Sequence, residues 1–100
     1  MRVIAKSTLT RFAERNPRTT ASLTHWHTVA RAASWRNCQE VVASFSKAKT
    51  INSERVRFEV AGGDFRMIVA FDLERQVAFV KFIGTHGAYD QLDAATASLF

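Results

Sequence analysis

Arg57, Arg66, Lys81, His86 and Tyr89 are the residues whose types suit the cutting of a ribose–phosphate chain. That reaction needs one group to take the proton from the 2′-hydroxyl and cations to stabilise the charge growing on the scissile phosphate. A further group protonates the 5′-leaving oxygen. Arginine and lysine supply the charge, and histidine exchanges a proton near neutral pH. Tyrosine stacks on a base or takes part in proton transfer. Neither a metal nor an organic cofactor is required for that route.

Each of these residues also has a plainer reading. Arg66 can form a cross-strand ion pair with Glu59 on an ordinary exposed sheet face, and Lys81 can be a solvated lysine that protects an edge strand. His86 can make a structural hydrogen bond in a loop, and Tyr89 can pack. His25 and His27 lie two positions apart on a helical segment and so point to different faces, which argues against a shared metal, and no metal site is expected. Cys38 has no histidine near it in sequence and reads as a small, partly buried residue at the start of a helix rather than a nucleophile. Trp26 and Trp35 read as packing residues.

Strands must carry the charged group. From Val56 onward apolar and charged residues alternate, with Val56-Arg57-Phe58-Glu59-Val60 as the first strand, Phe65 to Asp72 as the second and Val77 to Ile83 as the third. Ala61-Gly62-Gly63-Asp64 and the residues around Glu74-Arg75 are the turns. Even-numbered hairpin loops would set Val60 opposite Phe65, Glu59 opposite Arg66, Arg57 opposite Ile68 and Lys81 opposite Ile68. Arg57, Glu59, Arg66 and Lys81 then share one face with Ile68, Ala70 and Phe79. The other face collects Phe58, Met67, Val69, Phe71, Val80 and Phe82 as a core. The charged face is expected to be a half-open concave surface with cationic walls, and His86 and Tyr89 follow directly after the third strand.

Helices should cover the apolar face. Arg2 to Ala5 reads as a short strand, then a helix capped by Ser7 or Thr8 ends at Asn16 before Pro17. A longer helix from Thr19–Thr20 places Leu23, Trp26, Val29, Ala30 and Ala33 on one stripe. Asn37 and Glu40 form a capping box for a third helix, and Tyr89 to Ser98 is expected to close the chain as a helix. The expected class is α+β, a small antiparallel sheet with N-terminal helices on one face, in a single domain over residues 1–100.

Charge is unevenly distributed. The chain carries 14 Lys and Arg against 9 Asp and Glu, a formal charge of +5. Residues 1–50 hold nine cations and two anions, and residues 51–100 hold five and seven. A basic first half favours an anionic partner, with Arg11, Arg15, Arg18, Arg31 and Arg36 placed to grip phosphates or to meet an acidic protein segment. One cysteine, no secretory-type apolar core at the start and no run of roughly 20 apolar residues give the expectation of a soluble protein in a reducing cytoplasm, without a membrane.

The opening Met1 to Leu9, Phe12, Pro17, the Trp35 region, Phe58 to Arg66 and above all Gly84-Thr85-His86-x-x-Tyr89-Asp90 resemble the HigB toxins of the RelE-like group. The resemblance implies a RelE-like fold that cleaves messenger RNA during translation on the ribosome and is held inactive by a helix-turn-helix antitoxin of the HigA type. It places Arg66, Lys81, His86 and Tyr89 along the RNA site. The chain departs from the family pattern at three positions. Glu59 stands in place of an Asn, Ala61 in place of a Gly, and Gly63 in place of a second Asn. Glu59 sets a negative charge beside Arg66, where it would oppose phosphate.

Overall fold

The computed structural model describes residues 1–100. Strand β1 (Arg2–Ile4) leads into α1 (Lys6–Arg15), which starts after Ala5 without a side-chain cap rather than at Ser7 or Thr8. Asn16 ends α1, and Pro17 opens a single 3-10 turn, Pro17–Thr19, because its fixed φ suits a first helical position and needs no N–H acceptor. Helix α2 (Thr20–Ala32) returns alongside α1, burying Leu23, Trp26 and Ala30, while Thr24, His25, Thr28 and Arg31 face water. In α3 (Cys38–Ala43) the Asn37 side chain accepts from Glu40 N–H at 3.0 Å, and Glu40 Oε1 in turn accepts from Arg36 N–H at 2.9 Å. The expected capping box is therefore present, with its return bond one residue before the cap.

Strands β2 (Lys49–Thr50), β3 (Arg55–Val60), β4 (Phe65–Asp72) and β5 (Val77–Thr85) complete a five-stranded sheet in the order β1-β5-β4-β3-β2. The β3–β4–β5 meander is antiparallel, but β1 runs parallel to β5, so the sheet is mixed. The helices cover one face. Val56, Phe58, Val60, Met67, Val69, Phe71, Ala78 and Val80 meet Leu9, Leu23, Trp26, Trp35 and Val41 there in the main core. Phe45 ties the layers together, with ring centroids 5.1 Å from Phe58, 5.9 Å from Trp35 and 6.3 Å from Trp26.

The expected register holds between β3 and β4: Val60 faces Phe65, Glu59 faces Arg66 and Arg57 faces Ile68. Between β4 and β5 it holds only as far as Val69 opposite Val80. A bulge follows, and Ile68 faces Phe82 instead of Lys81. One extra residue in a strand reverses the inward–outward sense beyond it. Ile83 consequently joins the main core, and Phe82, expected inside, lies buried on the opposite, outer face with Ile68.

The closing helix also differs from expectation. Helix α4 is short (His86–Asp90), and the residues after it form turns. Asp93 accepts from Ala95 N–H, while the carbonyls of Ala94 and Ala97, which a continuing helix would use, accept from Arg55 Nη1 at 3.1 and 2.7 Å. This last segment crosses the outer face and reaches the uncovered edge of β5, where Leu99 N–H donates to Lys81 C=O at 2.9 Å. No helix is long and apolar enough to cross a membrane.

Candidate functional site

The turn joining β3 to β4 sets the site. Ala61, Gly62 and Gly63 have φ of 52°, 71° and 96°, so three successive residues turn through the left-handed region before Asp64. The carbonyl of Asp64 then accepts from His86 N–H at 3.0 Å, which holds the start of α4 against the glycine turn. Thr85 caps the same short helix by accepting from Ala88 N–H. His86 is thereby carried to the end of β4, beside Arg66.

Arg66 is the centre of a row of charges. Its Nη1 lies 3.1 Å from Glu59 Oε2, and its Nη2 lies 3.5 Å from His86 Nε2. Arg57 Nη2 meets the same Glu59 oxygen at 3.4 Å, and His86 Nε2 is 3.4 Å from Asp90 Oδ1. The row therefore reads Arg57, Glu59, Arg66, His86, Asp90, with two guanidinium groups set against two carboxylates. It is electrically balanced when His86 is neutral. The two arginine side chains are 14% and 12% exposed, whereas that of His86 is 52% exposed. Nε of Arg57, Nε of Arg66 and Nη1 of Arg66 have no hydrogen-bond acceptor, so Arg66 and Glu59 form an ion pair without a hydrogen bond.

His86 Nε2 faces a donor and an acceptor at once. As a neutral ring with its proton on Nδ1 it accepts from Arg66; as a protonated ring it donates to Asp90. Arg18 reaches this corner from the 3-10 turn and pairs with the Asp64 carboxylate. Arg11 and Arg15 are exposed on α1 and form no ion pair.

Lys81 lies elsewhere on the same face. It is three residues along β5 from Gly84, the partner of Arg66, or about 10 Å. Its ammonium sits 5.5 Å from the centre of the Phe79 ring and lines a recess with Arg55, Glu54 and Asp72. Tyr89 is half-buried, its ring centroid 6.4 Å from that of Phe82. The Phe82 ring in turn folds over Gly84, where an added Cβ would come within 2.8 Å of Cζ. Buried Ile68 and Phe82, with Tyr89 and the last segment above, fill ground that the strand pattern leaves half open.

Two contributors are not apparent from residue type alone. Arg55 is the first of the alternating row Arg55-Arg57-Glu59, yet it is nine-tenths buried and binds the last segment instead of solvent. Asp90 stands four residues after His86, the helical spacing for a pair. Away from the site, Cys38 Sγ donates to Ser53 C=O at 3.4 Å, and burial together with Glu54 raises its pKa. Raising the pKa keeps a thiol protonated and unreactive. His25 stacks edge-on against Phe45 while His27 faces the groove between α1 and α2.

No curated protein matches the chain. A family model, HigB_toxin, described as the RelE-like toxic component of a toxin-antitoxin system, matches residues 19–92. The match spans α2, the whole β3–β4–β5 meander and the His86–Asp90 pair, and the four helices and five-stranded sheet form an α+β arrangement compatible with a RelE-like fold. The chain belongs to the HigB toxin family, the RelE-like toxic components of toxin-antitoxin systems.

Proposed function

We propose that this toxin is a metal-independent endoribonuclease that cleaves messenger RNA during translation on the ribosome, with Arg66 and His86 at the reaction centre. The observation that carries the reading is the approach of Arg66 Nη2 to His86 Nε2 at 3.5 Å, with Asp90 on the far side of the ring. A scissile phosphate seated beside Arg66 would meet a guanidinium and an exposed imidazole together. The 2′-oxygen attacks phosphorus, the bond to the 5′-oxygen breaks, and the products are a 2′,3′-cyclic phosphate and a 5′-hydroxyl.

In this reading Lys81 and Tyr89 line the outer face along which the RNA runs, Lys81 as a cation and Tyr89 as a stacking or proton-transfer group. Arg57, Arg11, Arg15 and Arg18 hold the backbone, and Arg18 is paired with Asp64, two residues before Arg66. The inhibitory partner is a helix-turn-helix antitoxin of the HigA type, and the toxin acts in the cytoplasm. Induction in bacteria should arrest growth and fragment translated messages with cyclic phosphate ends. Arg66→Ala should lower cleavage about 100-fold and restore growth. A harmless intact chain, or message recovered whole, would refute the nuclease reading.

A second reading is favoured by one observation: Glu59 is ion-paired to both Arg57 and Arg66. A chain so neutralised acts as a weakened toxin, or as an RNA- or ribosome-binding module without turnover. Glu59→Asn separates these. Cleavage that rises in the variant identifies a weakened nuclease, and RNA bound but never cut identifies a binding module.

A further inference from the structure

A concavity lies on the helical side of the molecule, away from the charged row. It is a groove of about 620 Å3 between α1 and α2. Leu9, Ala13, Leu23 and Ala32 are its apolar lining residues, and Thr10, Thr20, Thr24 and Thr28 are among its polar ones. Lys6, His27 and Arg31 are grouped at the open end of the helical hairpin. No carboxylate lines the groove, and neither Lys6 nor Arg31 forms an ion pair with any acidic residue of the chain. This contrasts with Arg57 and Arg66 on the outer sheet face, which share Glu59, and with Arg18 of the 3-10 turn, which has Asp64. The cations of the groove repel one another without compensation. Burial and the nearby Lys6 and Arg31 lower the pKa of His27.

We propose that this groove is the docking site for an acidic amphipathic helix of a partner protein, its apolar stripe on the Leu9–Leu23 floor and its acid-rich end over Lys6, His27 and Arg31. Three features favour a helix over a nucleic-acid strand. A furrow between two packed helices accepts the ridge of a third. The floor is aliphatic and small, which suits Leu or Ala side chains. The lining holds no Phe, Tyr or Trp ring on which a base would stack. The length also fits, since α2 spans 13 residues, about 20 Å, or some four turns of a partner helix. The antitoxin partner implied by the family is a natural source of such a helix. The helices cover the core face of the sheet, so a partner seated in their groove leaves Arg66 and His86 uncovered. The inference rests on charge pattern and shape and does not depend on whether the chain cuts RNA.

The test uses the full chain and two fluorescent probes, a helical peptide with a leucine–alanine stripe and three glutamates in one terminal turn, and a single-stranded RNA oligonucleotide. A control peptide carries glutamine in place of glutamate. The expected result is saturable binding of the glutamate peptide, at least tenfold tighter than the control. Lys6→Glu or Arg31→Glu should weaken it about tenfold, and Lys6→Gln should weaken it less. RNA binding should be unchanged. The His27 imidazole, followed by NMR titration, should rise in pKa when the glutamate peptide is bound, a readout that altered folding would not give. Absence of saturable peptide binding, equal affinity for the two peptides, or insensitivity to Lys6→Glu and Arg31→Glu would overturn the proposal. Loss of RNA binding with peptide binding spared would assign the groove to nucleic acid.

Discussion

Glu59 neutralises two guanidinium groups at once, and its carboxylate also explains a second unusual residue. A Cβ at position 63 would lie 2.7 Å from Glu59 Oε1, so Gly63 makes room for the longer acid. Two departures from the family pattern, Glu59 and Gly63, are therefore one steric and electrostatic unit. Removing the charge has opposite consequences for fold and function. Glu59→Gln leaves two largely buried arginines without their carboxylate and should lower stability by roughly 1–3 kcal/mol, less than for a fully buried pair because some solvent reaches the groups. The same change should tighten RNA binding; a fall in both stability and affinity would show that Glu59 only supports the fold. Ala61 is the third departure. It holds φ 52°, a conformation that costs a side-chain-bearing residue about 1 kcal/mol. Ala61→Gly should accordingly raise the unfolding free energy by up to about 1 kcal/mol, offset in part by the greater freedom of glycine in the unfolded chain. Denaturant titration measures both.

Element boundaries follow local chemistry where a side chain can reach its own backbone. Asn37 caps α3, and its replacement by Ala should cost about 1 kcal/mol, seen as a lower melting temperature. Hydrogen bonds from the Arg36 N–H and from the Arg36 side chain lower the pKa of Glu40. A carboxylate with a depressed folded-state pKa adds stability that is present above its unfolded value, near 4.5, and is lost as pH falls through the folded value. Glu40→Gln should therefore flatten the acid side of a stability-against-pH profile, and an unchanged slope would contradict the bond. Where no such local bond exists the elements shift. Helix α1 begins without a side-chain cap, and the meander changes register at Val69. The bulge follows from packing: Ile83 completes the core beside Met67, and Phe82 covers Gly84 on the outer face. Alternation in sequence records neither demand.

Across the whole molecule, the last segment decides how open the outer face is. Arg55 binds two of its carbonyls, and Lys81 C=O receives Leu99 N–H. Hydrogen bonds from a buried cation of this kind contribute about 1.5–3 kcal/mol each. Arg55→Ala should release residues 94–99, with faster amide exchange there and little change in α1 and α2. Uniformly faster exchange would mean instead that Arg55 supports the entire fold. If the segment limits access of RNA, the same variant should cleave faster at equal protein concentration. The charge distribution belongs to this scale too. The first half is basic in sequence, but only the fold shows that two of its unpaired cations, Lys6 and Arg31, line an interhelical groove, while Arg57 and Arg66 on the outer sheet face share Glu59.

The sequence by itself determined the α+β class, the helix faces, the β3–β4 register and the family, because hydrophobic period, glycine turns and the Gly84–Asp90 motif are local patterns. It also set Arg66 opposite Glu59 once an even-numbered turn is assumed, and the Ala61–Asp64 turn meets that assumption. Tertiary structure alone decided the bulge at Lys81, the burial of Phe82 and the path of the last segment. These depend on which distant surfaces must be filled, and a single added residue reverses a strand's faces without changing its composition. The row of charges from Arg57 to Asp90 combines both. Its first three members can be read from strand alternation, and His86 with Asp90 joins them only because Asp64 holds the start of α4 against the turn.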